Sequence, residues 1–91
     1  MSEVHHETVF FSGRVQGVGF RYQAVQVARG FEVAGYVQNL ADGRVRLEAE
    51  GAAAEVAAFV AALGEQMAGC IRQTERHHAD REPQFRGFAI R

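Results

Sequence analysis

Apolar and polar residues alternate along residues 44–50, with sequence RVRLEAE. Strict alternation predicts a β-strand that has one buried face and one solvated face, as in an antiparallel sheet with helices on one side. Residues 33–40 form a second apolar stretch, and the pair Asp42-Gly43 lies between the two. Because Asp and Gly both tolerate positive φ, this pair is typical of a tight turn. The pattern therefore predicts a hairpin of strands 33–40 and 44–50.

Apolar residues recur with helical spacing in two other segments. Residues 52–67 carry an apolar stripe at i, i+3, i+4, i+7 and i+11: Val56, Phe59, Val60, Leu63 and Met67. This spacing predicts an amphipathic helix. Residues 20–29 carry a shorter stripe and are followed by Gly30, a natural helix stop. The sequence thus predicts two helices.

The remaining ordered segments are predicted strands. Residues 7–13 are β-branched and aromatic, and residues 85–90 indicate a short terminal strand. Residues 71–78 give a weaker strand pattern, which Thr74 and Arg76 interrupt. The element order predicts an α+β fold of the ferredoxin-like split βαβ type (βαββαβ), with two helices on one face of an antiparallel sheet and a short extra C-terminal strand. Many functions use this fold, so it does not specify one.

Composition narrows the class of protein. The 91 residues suffice for one domain, and we expect a single domain over 1–91. The formal net charge of −1 argues against a nucleic-acid or membrane-surface binder, which would show a basic excess. All ten basic residues are arginine, so a side-chain cation that binds an anion here must be a guanidinium, which can bond two oxygens at once.

The cellular location is predicted from what the sequence lacks. The one cysteine, Cys70, can form no internal disulfide and is interpreted as an idle or packed thiol. Neither a secretory signal nor an apolar run of membrane-spanning length is recognisable. We therefore expect a cytoplasmic protein, and a monomer.

The segment Gly13–Arg21 (GRVQGVGFR) connects the first strand to the first helix. Unpaired backbone N–H groups and the positive end of the helix dipole make such a position suitable for an anion. Arg21, in the first helical turn, can add two charge-assisted hydrogen bonds. The alternative is a tight connection with a solvated Arg21, since the spacing matches neither the dinucleotide fingerprint nor the Walker loop. The residues alone favour phosphate binding only modestly.

Asn39 lies at the end of a predicted strand, in the segment Gly35–Gly43 (GYVQNLADG). Its carboxamide has a donor and an acceptor, with which it can orient a water molecule. Ordinary turn chemistry explains an asparagine there equally well, and by itself this explanation is preferable.

Together, GRVQGVGFR at 13–21 and GYVQNLADGRV at 35–45 resemble the two hallmark motifs of the acylphosphatase family, and the ending GFAIR at 87–91 resembles that family's C-terminus. The resemblance covers nearly the whole chain. It implies that Arg21 and Asn39 are the catalytic residues. It also implies a phosphate-binding set, largely through backbone N–H groups: Arg14, Val15, Gln16, Gly17, Val18, Gly19, Phe20 and Arg21.

The implied reaction is attack of water on the carboxyl–phosphate anhydride of an acyl phosphate, giving a carboxylate and inorganic phosphate, which we expect to inhibit. The leaving carboxylate comes from an acid with a pKa of about 4, so it departs without a proton donor. Positioning and charge stabilisation then suffice. No Ser/His/Asp or Cys/His arrangement and no metal-spaced carboxylate cluster is recognisable, and we expect neither a metal ion nor another cofactor.

Two alternatives remain at this point. One is a non-catalytic or accessory anion-binding module, since a domain of this type also begins larger hydrogenase-maturation proteins that act on carbamoyl phosphate. The chain has no cysteine-rich extension, which favours a free-standing enzyme. The other is an RNA-binding split βαβ module that stacks bases on Phe10 or Phe11, which the charge disfavours.

Two histidine pairs, His5-His6 and His77-His78, lie on strands predicted to be neighbours. Adjacent strand residues point to opposite faces, so only one histidine of each pair can contribute on each face. We expect surface histidines and no metal site.

Overall fold

The computed structural model describes residues 3–91. Its elements follow the predicted order: β1 (Val4–Gly13), α1 (Phe20–Ala28), β2 (Val33–Asn39), β3 (Val45–Gly51), α2 (Ala53–Gln66), β4 (Ile71–Arg81) and β5 (Phe88–Ile90). The strands form one sheet in the order β4-β1-β3-β2-β5. This is the predicted ferredoxin-like α+β fold.

The four long strands are antiparallel neighbours. In the middle of the sheet, Leu47 of β3 lies opposite Val9 of β1 on one side and Val37 of β2 on the other. The short strand β5 instead runs parallel to β2, with Ala89 opposite Tyr36. The predicted antiparallel sheet is therefore mixed at this edge.

Both helices pack on one face of the sheet, and the apolar stripe predicted for residues 52–67 is buried there, with Phe59 and Leu63 at 0% exposure. Phe20, the first residue of α1, packs against Phe11 of β1 with ring centroids 5.0 Å apart. The start of α1 is thus fixed to the sheet. Within the described chain, neither helix is long and apolar enough to cross a membrane.

The opposite face of the sheet is not simply solvated, contrary to the alternation in β3. Glu48 and Glu50 are only 9% and 3% exposed. Backbone N–H groups of Gln84 and Phe85 donate to Glu50 Oε2 at 2.8 and 2.7 Å, so the segment before β5 crosses this face. The prediction of a wet face was wrong here because a segment distant in sequence covers the sheet.

Under this cover, the phenol of Tyr36 donates a hydrogen bond to the carboxylate of Glu48. Burial and the bond to Glu48 raise the pKa of Tyr36 to about 12. Burial alone would raise the pKa of Glu48, but hydrogen bonds from Tyr36 and His6 and the charge of Arg46 bring it below its usual value. The pair is therefore a neutral phenol held against an ionised carboxylate.

The boundaries of β1, β4 and β5 differ from those predicted. β1 starts at Val4, and β4 continues to Arg81, because the two strands pair along nearly their full length, from Val4 opposite Arg81 to Gly13 opposite Ile71. The residues of β4 are mostly exposed, so backbone pairing and not apolar burial defines this edge strand. The terminal strand spans 88–90 only.

The hairpin turn lies where Asp42-Gly43 predicts it. Gly43 has φ +95°, whereas Asp42 is not in the positive-φ region. The Asp42 carboxylate instead accepts a hydrogen bond of 3.1 Å from the backbone N–H of Arg44. The turn thus relies on glycine at one position and on side-chain capping at the other.

The histidine pairs approach each other across β1 and β4, and the prediction of surface histidines was wrong for His6, which is only 6% exposed. His5 stacks on His78 with ring centroids 5.5 Å apart, while His77 forms a T-shaped pair with Phe10 on the other face. Within residues 3–91, no group of three or more His, Cys, Asp or Glu side chains is arranged to hold a metal ion.

Candidate active site

Glycine geometry shapes the loop between β1 and α1. Gly17 and Gly19 have φ of +76° and +78°, a left-handed conformation that costs other residues energy. Gly19 is also the N-cap of α1, and no side chain caps the helix there. The loop therefore curls tightly and leads directly into the N-terminus of α1.

Two buried side chains hold this loop against the core. Val15 and Phe20 are 1% and 2% exposed. Between them the backbone stays on the surface, because Gly17, Val18 and Gly19 are exposed. The loop is anchored at both ends and open in the middle.

The backbone N–H groups of residues 15–22 find no acceptor within residues 3–91, and the first helical bond runs from Gln23 N–H to the Gly19 carbonyl at 3.0 Å. The N–H of Arg14 does have a partner, the carbonyl of Cys70 at 2.9 Å. The unpaired donors therefore begin after Arg14, at the positive end of the helix dipole.

Gln16 connects the loop to the β2–β3 hairpin. Its amide nitrogen donates to the carbonyl of Leu40 at 2.7 Å and to that of Arg44 at 3.0 Å. Leu40 directly follows Asn39 in the chain. The side chain of Gln16 thus fixes the distance between the glycine loop and the end of β2.

A cavity of about 220 Å³ opens where these elements meet. Its lining residues come from the loop, α1, β2 and β5: Val15, Gly17, Gly19, Phe20, Arg21, Tyr22, Asn39 and Ile90. Arg21 and Asn39, 18 positions apart in sequence, therefore face one cavity.

The guanidinium of Arg21 has no acidic partner within salt-bridge distance among the described residues. Its Nη1 donates to the backbone oxygen of Arg91 at 3.2 Å. This single hydrogen bond steadies the side chain and leaves most of its five N–H donors available to an anion.

Asn39 is the last residue of β2, on the same face as Val37 by strand alternation. Its Oδ1 atom is buried and has no hydrogen-bond partner in the described part of the chain. A buried polar atom without a partner costs stability, so it calls for a specific explanation such as a catalytic role or a bound water molecule. The amide of Asn39 is free to bind a ligand or water molecule.

Most, but not all, of the site residues predicted from the sequence line the cavity. Arg14, Gln16 and Val18 do not line it. The backbone N–H of Arg14 donates to the Cys70 carbonyl, and the side chain of Gln16 donates to the hairpin. The assignments of Arg21 and Asn39 to catalysis and of residues 14–21 to phosphate binding stay predictions.

The sequence motifs did not indicate two of the lining residues, Tyr22 and Ile90. Tyr22 could have been found from its place beside Arg21 at the start of α1. Ile90 lies in the GFAIR ending, whose resemblance to the family carried no role for that residue. Only the parallel pairing of β5 with β2 brings it to the site.

Comparison with known proteins decides the family. The model of the acylphosphatase family matches residues 7–90. This chain belongs to the acylphosphatase family. The match includes both motifs and all the lining residues of the cavity.

Individual relatives agree with this assignment. An acylphosphatase of an Anaeromyxobacter species is 52% identical over 60 residues, which are 66% of this chain and 64% of that protein. An acylphosphatase of Methanospirillum hungatei is 35% identical over 75 residues, 82% of each chain. The crystal structure of acylphosphatase from Bacillus subtilis superposes with a TM-score of 0.84 at 30% identity, covering 94% of this chain and 97% of that one.

These findings assign an enzyme that hydrolyses acyl phosphates, with a small-molecule acyl phosphate as substrate. They do not favour the alternatives of an accessory anion-binding module or an RNA-binding module.

Proposed function

We propose that this chain hydrolyses acyl phosphates by holding the phosphate in the loop of residues 15–21 while Asn39 positions the attacking water. The observation that carries the proposal is the shared cavity. Its lining includes Arg21, Asn39 and the loop residues Val15, Gly17 and Gly19, whose backbone N–H groups have no acceptor in the described chain. This is the combination of donors that phosphoryl transfer needs.

The loop and Arg21 bind the phosphoryl group and stabilise its negative charge. Backbone N–H groups at a helix N-terminus bind its oxygens without any cost of reorganisation, since Gly17 and Gly19 already set the curl. The Arg21 guanidinium adds a planar pair of donors and a full positive charge. Both interactions strengthen as charge develops on the oxygens in the transition state.

Asn39 acts on the water. Its carboxamide has a donor and an acceptor, with which it can orient a water molecule so that a lone pair of that water points toward phosphorus. The carboxylate leaves without protonation because its acid has a pKa of about 4. The water's proton passes to the phosphate or to solvent, and no general acid is needed.

The proposed hydrolysis needs no metal ion or cofactor, because the leaving group is already activated and Arg21 supplies the positive charge. It also includes competitive inhibition by inorganic phosphate, which presents the same oxygens to the loop. We also propose that the protein is cytoplasmic and monomeric, forms one domain over residues 1–91 and binds no nucleic acid. The single Cys70 and the net charge of −1 are in keeping with this.

Steady-state hydrolysis of a simple acyl phosphate in the presence of a chelator, with inorganic phosphate as inhibitor, tests the proposal. Arg21→Ala should lower kcat/KM by at least about 10²- to 10³-fold, the loss seen for one well-placed oxyanion donor. Arg29→Ala is the matched control, because Arg29 lies just beyond the same helix and its side chain forms one hydrogen bond in the described chain, to Gln26. Near-wild-type turnover by Arg21→Ala, or complete loss of activity with the chelator, would contradict the proposal.

A further inference from the structure

One hydrogen bond holds the guanidinium of Arg21 in the described chain. Its Nη1 donates to the backbone oxygen of Arg91 at 3.2 Å, and Arg91 directly follows β5. The position of the Arg91 backbone therefore helps to set where the Arg21 guanidinium lies. A group that fixes Arg91 acts on Arg21 as well, without any contact to the cavity.

Arg91 is attached to β2 at two points. Its backbone N–H donates to the Val37 carbonyl at 2.9 Å. Its guanidinium lies over the ring of Tyr36, with Cζ 4.1 Å from the ring centroid, a favourable cation–π contact. Among residues 3–91, the Arg91 side chain forms no ion pair. Since β5 pairs with β2 over only three residues, the contact with Tyr36 adds to the few interactions that fix its end.

The ring of Tyr36 is itself held firmly. It is 4% exposed, and its phenol donates a hydrogen bond to the Glu48 carboxylate. Phe85 meets it in a T-shaped arrangement with ring centroids 5.7 Å apart, and the Phe85 N–H is bonded to Glu50. The ring is therefore a rigid surface on which Arg91 packs.

Tyr36 has no place in the cavity. Adjacent residues of a strand point to opposite faces, so Tyr36 lies on the outer face of the sheet, opposite Val37 and Asn39. Neither Tyr36 nor Arg91 lines the cavity. The contacts that lead from Tyr36 to the site run through Arg91 to Arg21.

We propose that Tyr36 is a positioning residue for hydrolysis: its ring anchors Arg91, and Arg91 in turn holds the guanidinium of Arg21 toward the phosphate. This inference rests on the proposed function, which gives Arg21 its role. The aromatic ring is what matters, because it is the ring and not the hydroxyl that Arg91 contacts. Small misplacements of a catalytic group are costly, so loss of the anchor slows the reaction.

Two substitutions of Tyr36 separate the ring from the rest of the side chain. Tyr36→Phe keeps the ring and should keep kcat/KM near the wild-type value. Tyr36→Leu removes the ring. Its kcat/KM should fall about 10-fold and the inhibition constant of inorganic phosphate should rise about 5-fold, because Arg21 contacts phosphoryl oxygens in both complexes.

Arg91→Met tests the same contact from its other side. Arg91 is exposed, so this variant should fold even if Tyr36→Leu does not. Its kcat/KM should fall as in Tyr36→Leu, and the double variant should lie within about 2-fold of either single one, because all three lack one interaction. Arg86→Met is the matched control, an exposed arginine in the segment before β5.

Glu48→Gln distinguishes positioning from a purely structural role. It removes the charge that Tyr36, His6 and Arg46 contact, yet keeps the ring and Arg91. Its thermal midpoint should fall while its kcat/KM stays near wild type. All kinetics are measured at a temperature where circular dichroism shows every variant to be folded.

The outcomes distinguish this inference from the proposed function. Equal kcat/KM in Arg91→Met and Arg86→Met overturns the positioning role, as does equal kcat/KM in Tyr36→Leu and Tyr36→Phe. A loss in Glu48→Gln as large as in Tyr36→Leu, or additive losses in the double variant, overturns it too. If wild type hydrolyses no acyl phosphate, the proposed function itself has failed.

Discussion

Gln16 and Leu40, 24 positions apart in the sequence, are joined by a hydrogen bond of 2.7 Å from the side-chain amide of Gln16 to the Leu40 carbonyl. This bond links the glycine loop to the residue that follows Asn39. Together with the bond from Gln16 to the Arg44 carbonyl, it connects the two halves of the candidate site directly. We therefore expect Gln16 to act as a positioning residue, through the elements that it joins.

Gln16→Leu removes the donor but keeps a side chain of similar length. We expect kcat/KM for an acyl phosphate to fall about 10- to 100-fold, because misplacement by about 1 Å is costly to catalysis. The free energy of unfolding should fall by only about 1 kcal/mol, since the Leu40 carbonyl keeps a bond from Gly43 and the Arg44 carbonyl keeps one from Leu40. Steady-state kinetics and chemical denaturation measure the two effects. Gln26→Leu on α1 is the control, and a variant that loses stability but keeps its activity would contradict the positioning role.

Asn39→Ala should separate activity from stability. If Asn39 orients the water, kcat falls about 10²-fold while the inhibition constant of inorganic phosphate changes little. Because Asn39 Oδ1 is buried without a partner in the described chain, its removal should cost about 1 kcal/mol of stability or less. Gln38→Ala, one residue earlier and on the opposite face of β2, should leave both quantities near wild type. A large loss of phosphate affinity with kcat preserved would assign Asn39 to phosphate binding instead.

The buried phenol of Tyr36 predicts a loss of stability at high pH. Its pKa is raised from 10.0 to about 12 in the folded protein by burial and by the bond to Glu48. A raised pKa means that folding favours the protonated phenol. Its contribution is thus complete below pH 10.0 and is lost as the pH rises through about 12.

Titration of Tyr36 by the ultraviolet absorbance of tyrosinate checks this directly. In a Tyr22→Phe background Tyr36 is the remaining tyrosine of the sequence. We expect its midpoint near 12 in the native protein and near 10.0 in denaturant. A native midpoint equal to the denatured one would show that the phenol is not held against Glu48.

Glu50 should hold the segment that covers the outer face of the sheet. Glu50→Ala removes the acceptor of the Gln84 and Phe85 N–H groups, which should cost about 1.5–3 kcal/mol of stability, as expected for hydrogen bonds to a charged group. Hydrogen exchange at these two amides should become faster than in wild type. Glu65→Ala, an exposed position on α2, is the control. Unchanged protection in Glu50→Ala would mean that aromatic packing of Phe85 alone holds the segment.

Apolar patterns that repeat within a segment were sufficient to predict much of the fold. The helix over 52–67 and the hairpin around Asp42-Gly43 were predicted within a residue or so, because burial on one face imposes a period on the sequence of each element. The strand over 71–78 was predicted weakly and too short. Its residues are mostly exposed, so the signal that defines β4 is backbone pairing with β1, which leaves no apolar period.

The sequence by itself determined the elements, the glycine loop, the arginine at the start of α1 and the family to which its two motifs point. The tertiary structure decided what lies beside that loop. It brings Asn39 and Ile90 to the cavity, directs Gln16 to the hairpin and lays Phe85 over the outer face of the sheet. The physical reason is that periodicity records only whether a residue faces the core, whereas contacts between distant segments depend on strand order and register. Those are set by hydrogen bonds and packing among all the elements together.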